Sequence, residues 1–475
     1  MTFEVAPLED DRPKHFCGVV GMALEGDAVP HLKKALRIIQ HRGQESAGIA
    51  VSTGGAISYV RGMGLVHEVL TGRQYNALAG NRGIGHVRYS TSGSSCAENC
   101  QPITVTTKEG DLALAHNGDI VNAGSIRDKL QSEGWAFLTS SDSEIIVRML
   151  ATELSNSPDP VRAIKTVMRT LEGAYSITMM LDGRVFGFRD PFGFRPLCLG
   201  RLPGGYALAS ESAVFDVLKG EFIRDVQPGE IVEISSSGAT STRTPAAPHC
   251  AHCMFEWVYF ARPDAVIEGR EVYQVRTNIG HILAKEQPVE ADVVVPVPDS
   301  GRAHALGFAE GSGIPYAEGF MKNRYIERTF ILPDQSQRDE GVLLKLNPIR
   351  STVAGKRVVI VDDSIVRGTT MLKIVQMTRR AGAKEVHVRI GCPPVIAPCF
   401  YGVDMKTREQ FAALNRTPKQ IAELITADSV GYISQAGLVR ALGIPESELC
   451  LACVNGEYPT RIAGEKMRFQ RTLEV

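Results

Sequence analysis

The stretch from Val358 to Thr370 reads VVIVDDSIVRGTT, and it decides the fold of the second half of the chain. Its apolar start predicts a buried β-strand that leads into Asp362 and Asp363. The loop that follows carries Ser, Gly and Thr and enters a helix predicted near residues 370–381, which Gly382 can end. Backbone N–H groups and hydroxyls at a helix N-terminus suit a phosphate, and paired carboxylates suit a ribose diol or Mg²⁺.

The same strand–loop–helix order recurs on both sides of this stretch. Residues 293–295 form an apolar run that is followed by Pro298-Asp299-Ser300-Gly301 and by a helix predicted over 302–310, with Gly311 placed to end it. Residues 386–390 predict a further strand. Repeated units of this kind build an α/β domain with a parallel sheet, whose ligands lie at the carboxyl ends of the strands.

The first half of the chain has a different pattern. Short apolar runs broken by Gly and Asn predict strands, and two amphipathic stretches at 28–40 and 143–154 predict helices, so residues 17–234 are expected to form an α+β domain. Residues 235–248, SSSGATSTRTPAAP, show neither a helical nor a strand period and predict a linker. The second domain is therefore expected to span 249–475.

Composition limits the classes of function. The chain has 475 residues, 44% hydrophobic and 22% charged, with a formal net charge of -1. This charge balance argues against nucleic acid as a partner, and no apolar run reaches the roughly 18 residues that a membrane span needs. Residues 1–16 lack the apolar core of a signal peptide, so the chain is predicted to be cytoplasmic.

Several polar segments of the first half could form one catalytic site. Cys17 opens CGVVGMA, and on its own it reads as an ordinary core cysteine. The other segments are HRGQESAG at 41–48, GHVRYST at 85–91, HNG at 116–118 and SSDSE at 140–144. Each has a simpler explanation by itself, such as a surface cation, an Asn-Gly hairpin turn or a helix cap.

Taken together and in this order, these segments resemble the N-terminal-nucleophile glutamine amidotransferase domain. The resemblance implies that Cys17 is the nucleophile and that its own α-amine is the base. Because that amine must be free, residues 1–16 are expected to be a propeptide that is removed. The resemblance gives the oxyanion role to the Asn117 side chain and the Gly118 N–H group. It implies that glutamine is bound by Arg42, Gly43, Arg88 and Asp142.

The stretch 358–370 in turn resembles the phosphoribosyl pyrophosphate motif of type I phosphoribosyltransferases. The resemblance places Asp362 and Asp363 on the ribose hydroxyls and Mg²⁺. It surrounds the 5′-phosphate with Ser364, Arg367, Gly368, Thr369 and Thr370. It makes Asp299, Ser300 and Gly301 the pyrophosphate loop, with Ser300 near the metal. The cation-rich segment KNRYIERTF at 322–330, with Lys322 and Arg324, is either a solvated loop or a lid over the departing pyrophosphate.

Both halves in this order resemble the glutamine phosphoribosylpyrophosphate amidotransferase family. The family implies that glutamine, phosphoribosyl pyrophosphate and water give phosphoribosylamine, glutamate and pyrophosphate, the first committed step of purine synthesis. It also implies internal transfer of ammonia, feedback inhibition by purine nucleotides and a homo-oligomer, usually a tetramer.

Two C-x-x-C pairs, at 250–253 and 450–453, indicate a structural zinc site when they are considered alone. The iron–sulfur subgroup of the family implies a different ligand set, namely Cys253, Cys399, Cys450 and Cys453 around a [4Fe–4S] cluster. Free thiols are the third interpretation.

Two rival functions remain. Related glutaminase domains feed ammonia to other acceptors, but such enzymes would not explain Asp362 and Asp363. A regulator that senses the nucleotide precursor would not need Cys17, Arg88, Asn117 and Asp142 together.

Overall fold

The computed structural model describes residues 17–89, 95–245, 247, 249–323, 346–405, 407–462 and 465–467. The predicted propeptide, residues 1–16, and Arg324 lie outside these described residues. No helix among the described residues is long and apolar enough to cross a membrane.

Two antiparallel sheets, stacked face to face, form the centre of the first half within the described ranges. The seven strands of one sheet are, in spatial order, Glu221–Asp225, Cys198–Leu202, Gly205–Ala209, Gly18–Leu24, Arg82–Arg88, Ser46–Thr53 and Ala56–Met63. The six strands of the other are Ala239–Arg243, Glu230–Ile234, Arg184–Arg189, Gly173–Leu181, Gly110–Ile120 and Ile103–Thr107. Apolar side chains from both sheets, including Val19, Ala115 and Met180, form the core between them.

Helices cover the two outer faces of this sandwich. Val29–Ile38 packs on the first sheet through Leu32 and Leu36, and the helices Asp142–Asn156 and Pro160–Thr170 pack on the second. The other helices described in this half are Val66–Val69, Gly72–Asn76, Ala123–Ser132 and Ala213–Val217. The predicted α+β domain is therefore confirmed, and both predicted helices are present.

The predicted linker contains a strand. Ala239–Arg243 pairs with Glu230–Ile234 along the edge of the second sheet, so these residues belong to the first half, and the prediction of no strand here was wrong. Four of the five residues are exposed, so there is no apolar alternation to signal the strand, which is held by backbone hydrogen bonds. The domain limits at 234 and 249 remain predictions.

The second half is built on a parallel sheet, as predicted. Its strands within the described residues are Val293–Pro296, Arg357–Asp362, Glu385–Ile390 and Ser429–Tyr432, in that order. The longer helices around it are Val272–Glu286, Gly301–Ser312, Thr369–Arg380 and Gln435–Leu442. The shorter ones are Arg350–Val353, Pro418–Leu424 and Ala452–Asn455, with a π-helix at Glu256–Phe260.

One predicted helix end is displaced. The helix Gly301–Ser312 runs past Gly311 and ends at Gly313, whose φ of 73° is left-handed. Gly311 itself lies close to the neighbouring helix, since a Cβ there would be 3.1 Å from that of Ala284. Gly311 therefore serves helix packing, and Gly313 supplies the positive φ that ends the helix.

Candidate active sites

Cys17 lies directly before the strand Gly18–Leu24 of the first sheet. Its side chain is buried, and Sγ donates a long hydrogen bond to the carbonyl oxygen of Tyr89 at 3.7 Å. Burial raises the pKa of this thiol to about 11, while the charge of Arg88 lowers it and that of Asp142 raises it. Arg88 and Asp142, two of the four residues predicted to bind glutamine, are thus within electrostatic reach of the predicted nucleophile.

The predicted oxyanion residues Asn117 and Gly118 lie inside the strand Gly110–Ile120, which excludes the hairpin-turn alternative. Asn117 is 1% exposed, and neither its side-chain oxygen nor its nitrogen has a hydrogen-bond partner among the described residues. A buried amide without partners costs free energy. Such an amide is what a site that binds a substrate oxygen is expected to contain.

Gly118 follows with a φ of 153°, and a Cβ at this position would lie 1.9 Å from the carbonyl oxygen of Ala174 on the neighbouring strand. Only glycine fits there, because the two backbones are in direct contact. The backbone of Gly118 is therefore fixed against the second sheet.

Asp142 is the first residue of the helix Asp142–Asn156, and Ser141 is its N-cap. Its Oδ2 accepts from the N–H of Ile120 at 3.1 Å, and its Oδ1 lies 3.7 Å from Nδ1 of His116. Burial by itself raises the pKa of Asp142, but His116 and the backbone N–H groups outweigh it and hold the pKa below its usual range. Asp142 is therefore a buried carboxylate, which suits a substrate ammonium.

Arg42 and Gly43 support the site from the inside. Arg42 is 2% exposed and donates from Nε to the carbonyl oxygen of Cys17 at 3.3 Å. Its other nitrogens donate to Glu211 at 2.6 Å and to Glu256 at 2.8 Å. A Cβ on Gly43 would lie 2.4 Å from the Val87 backbone, so this glycine allows the chain to pack beside the Val87–Arg88 peptide.

The second candidate site lies at the carboxyl end of the strand Arg357–Asp362. Oδ1 of Asp362 accepts from the N–H of Asp363 at 2.9 Å, and the Ser364 hydroxyl donates to Oδ1 of Asp363 at 2.6 Å. Oδ2 of Asp363 is buried and has no partner among the described residues. This oxygen is therefore available to a ligand.

The predicted phosphate loop turns at Gly368, whose φ is 85°, and the helix Thr369–Arg380 begins at the next residue. The helix that begins at Thr369 therefore follows the acidic pair after a five-residue loop, 364–368, which contains Arg367. The positive end of a twelve-residue helix favours an anion.

The predicted pyrophosphate loop lies beside the acidic pair. A Cβ on Gly301 would lie 2.6 Å from the carbonyl oxygen of Val361 and 3.5 Å from Oδ1 of Asp362, so only glycine allows this approach. Oγ of Ser300 is buried without a partner among the described residues. Asp299 binds Lys322 at 2.5 Å and Arg302 at 2.9 Å.

A cavity of about 540 Å³ joins the two halves. The first half contributes Arg37, Ile38, His41, Arg42 and Gln44, and the second contributes Tyr259, Phe260, Ala261, Arg262, Pro263, Arg276, Asp299, Ser300 and Lys322. Six of these side chains are basic, and four of the six pair with carboxylates: His41 and Arg42 with Glu211, Arg262 with Asp264, and Lys322 with Asp299. Arg42, which holds the Cys17 carbonyl, and Ser300, in the pyrophosphate loop, face the same space.

Sequence reasoning missed the buried charges that connect the halves. Glu256, on the π-helix, pairs with Arg42 and with Arg195 at 3.4 Å, and all three are at most 2% exposed. Arg195 also donates to the carbonyl oxygen of Tyr401 at 2.9 Å. No periodicity distinguishes these residues from surface charges; the only sequence signal is that Arg195 and Glu256 lie in mainly apolar surroundings.

The four predicted cluster cysteines lie in one region of the second half. Cys253 and Cys450 are opposite each other in a two-stranded parallel pair. Burial raises the pKa of all four thiols, and neighbouring cysteines raise those of Cys253, Cys450 and Cys453 further. Among the described residues, no three His, Cys, Asp or Glu side chains are grouped as ligands of a single ion.

The folds and sites together define a glutamine amidotransferase domain joined to a type I phosphoribosyltransferase domain. The family model described as "Glutamine amidotransferase domain" matches residues 86–216, and that described as "Phosphoribosyl transferase domain" matches 270–392. The amidophosphoribosyltransferase of Methanocaldococcus jannaschii is 50% identical over 444 residues, 90% of this chain and 94% of that protein. That of Archaeoglobus fulgidus is 49% identical and covers 95% and 99%.

A solved glutamine phosphoribosylpyrophosphate amidotransferase from B. subtilis, complexed with ADP and GMP, is 41% identical with a TM-score of 0.88. It covers 95% of this chain and 99% of its own. A second structure, described as the allosteric regulatory enzyme of purine biosynthesis, is 42% identical, also with a TM-score of 0.88, and covers 94% and 97%. The chain belongs to the amidophosphoribosyltransferase family.

Proposed function

We propose that this chain converts glutamine, phosphoribosyl pyrophosphate and water to phosphoribosylamine, glutamate and pyrophosphate, and that the predicted site residues of the two halves carry out the two steps. The observation that carries this assignment is the set of buried polar atoms without protein partners. Among these atoms are both side-chain polar atoms of Asn117 in the first half and one oxygen each of Ser300 and Asp363 in the second. All three were predicted as substrate-binding groups, and one cavity lies between the two halves.

In the glutaminase half, the Cys17 sulfur attacks the amide carbon of glutamine, and the thiol proton passes through the α-amine of Cys17 to the departing ammonia. The Asn117 amide and the Gly118 N–H group stabilise the developing oxyanion. Water then hydrolyses the thioester to glutamate. Arg88 and Asp142 hold the α-carboxylate and α-ammonium groups, which fits the charge of each, and Arg42 and Gly43 support the pocket.

This mechanism requires a free amine at Cys17, so we propose that residues 1–16 are removed. With those residues attached, Cys17 has no α-amine to act as base, and burial leaves its thiol protonated at neutral pH. The precursor is expected to be inactive with glutamine.

In the second half, ammonia attacks C1 of the ribose and pyrophosphate leaves. The 5′-phosphate is proposed to bind at Ser364 and at the helix N-terminus from Arg367 to Thr370. Asp362 and Asp363 hold the ribose hydroxyls, while the loop Asp299–Gly301 and the cation Lys322 receive pyrophosphate. Arg324 is proposed to join them. Ser300, Asp362 and Asp363 offer the hard oxygen ligands that Mg²⁺ prefers, and the ion would neutralise phosphate charge.

Ammonia formed at Cys17 is proposed to move through the interior to the ribose. The cavity between the halves supports this proposal, since its lining includes Arg42, which donates to the Cys17 carbonyl oxygen, and Ser300 of the pyrophosphate loop. An internal path keeps ammonia from being protonated and lost in water.

We also propose that the chain belongs to the iron–sulfur subgroup, with Cys253, Cys399, Cys450 and Cys453 holding a [4Fe–4S] cluster. Support comes from the four thiols themselves, which are all buried in one region. Cys253 and Cys450 are opposite each other in a strand pair, and four thiolates would supply the ligands that such a cluster needs.

Purine nucleotides are proposed as feedback inhibitors and a homotetramer as the assembly. Support for the inhibitors comes from the B. subtilis relative, which was solved with ADP and GMP.

The test is to incubate anaerobically purified protein with Mg²⁺, glutamine and phosphoribosyl pyrophosphate, and to measure glutamate and pyrophosphate together. Equal amounts are expected. The Cys17→Ala variant is expected to form pyrophosphate only with an ammonium salt. Glutamate without pyrophosphate would refute the proposed acceptor, and neither product from protein that begins at Cys17 would refute the enzyme assignment.

A further inference from the structure

A segment of the second half touches the predicted oxyanion residue of the first. Gly402 has a left-handed φ of 96°. A Cβ on Gly402 would lie 3.1 Å from the carbonyl carbon of Gly118, 3.2 Å from its Cα and 3.3 Å from its oxygen. These distances are shorter than ordinary van der Waals contact, so the two glycine backbones already lie against each other.

Gly118 has no room to yield on its other side. It is paired with Tyr175 in the antiparallel ladder, and its Cα faces the carbonyl oxygen of Ala174 so closely that a Cβ would lie 1.9 Å from it. The position of the Gly118 peptide is therefore set by the strand Gly173–Leu181 on one side and by Gly402 on the other.

The segment that carries Gly402 is fastened to the first half by Arg195. Two guanidinium nitrogens of Arg195 donate to the carbonyl oxygen of Tyr401, one of them at 2.9 Å. The ring of Phe194 stacks on that of Tyr401, with centroids 4.2 Å apart and planes 17° apart. Both contacts fix the residue directly before Gly402.

We propose that Gly402 is a positioning residue for the oxyanion donor Gly118. The second domain thereby completes the glutaminase site of the first, because the segment Tyr401–Gly402 closes the side of the Gly118 backbone that the strand Gly173–Leu181 does not contact. This inference rests on the proposed roles of Asn117 and Gly118.

The test is the Gly402→Ala variant in protein that begins at Cys17. An added Cβ forces the backbones of Gly402 and Gly118 apart by a few tenths of an ångström, and misplacement of a catalytic donor on this scale is expected to lower kcat for glutamine hydrolysis by about tenfold or more. The KM for glutamine is expected to change little, since the oxyanion exists only in the transition state. Formation of pyrophosphate with ammonium salt is expected to stay within about twofold.

Gly134→Ala is the matched control. Gly134 has a φ of 93°, close to that of Gly402, but no atom lies within 4 Å of a Cβ there. It reproduces the backbone strain without the contact and is expected to leave both activities unchanged.

Wild-type protein assayed alongside separates the proposals: if it forms glutamate and pyrophosphate, the proposed function stands independently of Gly402. Unchanged glutaminase kcat in Gly402→Ala would overturn the inference, as would an equal loss of the glutamine- and ammonia-dependent activities. If Gly402→Ala does not fold, Arg195→Lys decides: selective loss of glutaminase kcat supports the inference, and unchanged kcat refutes it.

Discussion

Replacing Asn117 with alanine is expected to abolish most glutaminase activity without destabilising the protein. The side chain is buried, yet it makes no hydrogen bond within the described residues, so its truncation leaves no protein group without a partner. Removing one oxyanion donor typically costs 10²–10³-fold in kcat, about 2.7–4 kcal/mol. Because Gly118 still offers its N–H group, we expect a loss in this range and not a complete loss.

The assay measures glutamate release under saturating glutamine, pyrophosphate formation with ammonium salt, and thermal unfolding. In Asn117→Ala, we expect only the first to fall. Asn122→Ala is the matched control, since Asn122 donates to the carbonyl oxygen of Thr170 at 2.8 Å and accepts from the N–H of Glu172 at 3.0 Å. Its truncation is expected to cost about 1–3 kcal/mol of stability and to leave kcat nearly unchanged.

Two results would contradict this reasoning. A kcat for glutamine within about threefold of wild type would show that Asn117 does not bind the oxyanion. A fall in melting temperature as large as that of Asn122→Ala would show that the Asn117 side chain has a structural partner after all.

Three further outcomes are expected. Asp363→Asn should weaken phosphoribosyl pyrophosphate binding by about 10–150-fold, which corresponds to the 1.5–3 kcal/mol of a charged hydrogen bond. Glutamate release from glutamine alone should persist. An unchanged KM for phosphoribosyl pyrophosphate would show that Asp363 does not belong to the site. In protein that retains residues 1–16, burial raises the pKa of the Cys17 thiol to about 11, so little thiolate is present at neutral pH. The rate of alkylation by iodoacetamide, measured on the Cys17 peptide, should therefore rise about tenfold per pH unit up to that pKa. A rate that reaches a plateau below pH 9 would contradict this expectation. Anaerobically purified protein should be brown and contain iron, and Cys450→Ser should lower the iron content. Cys198→Ser should not, because the Cys198 thiol lies elsewhere in the core, where it donates to the carbonyl oxygen of Ala209. A colourless, iron-free wild type would refute the cluster.

Local pattern was sufficient for most of the fold. The strand expected at 358–361 is present as Arg357–Asp362, and the helix expected at 28–40 as Val29–Ile38. These elements carry apolar residues at the period of their own geometry, so burial and sequence agree. The strand Ala239–Arg243 was missed because an exposed edge strand needs no apolar side chains.

The candidate sites were predictable to the extent that a resemblance names individual positions. What the sequence could not supply is how the two halves meet. Gly402 contacts Gly118 although the two are 284 positions apart in the sequence, and neither glycine has a side chain whose type would indicate the contact. The π-helix at Glu256–Phe260 could not be predicted either, since no sequence pattern indicates its hydrogen bonding.

The buried charges at this junction connect the two halves through a continuous series of hydrogen bonds. From the carbonyl of Cys17, hydrogen bonds run through Arg42 to Glu256, and from Glu256 through Arg195 to the carbonyl of Tyr401. Burying such ions has a large desolvation cost, which only the complete set of partners offsets. A displaced docking would leave a cation unpaired in the interior, so the nucleophile and the segment that contacts the oxyanion residue are held in a single mutual position.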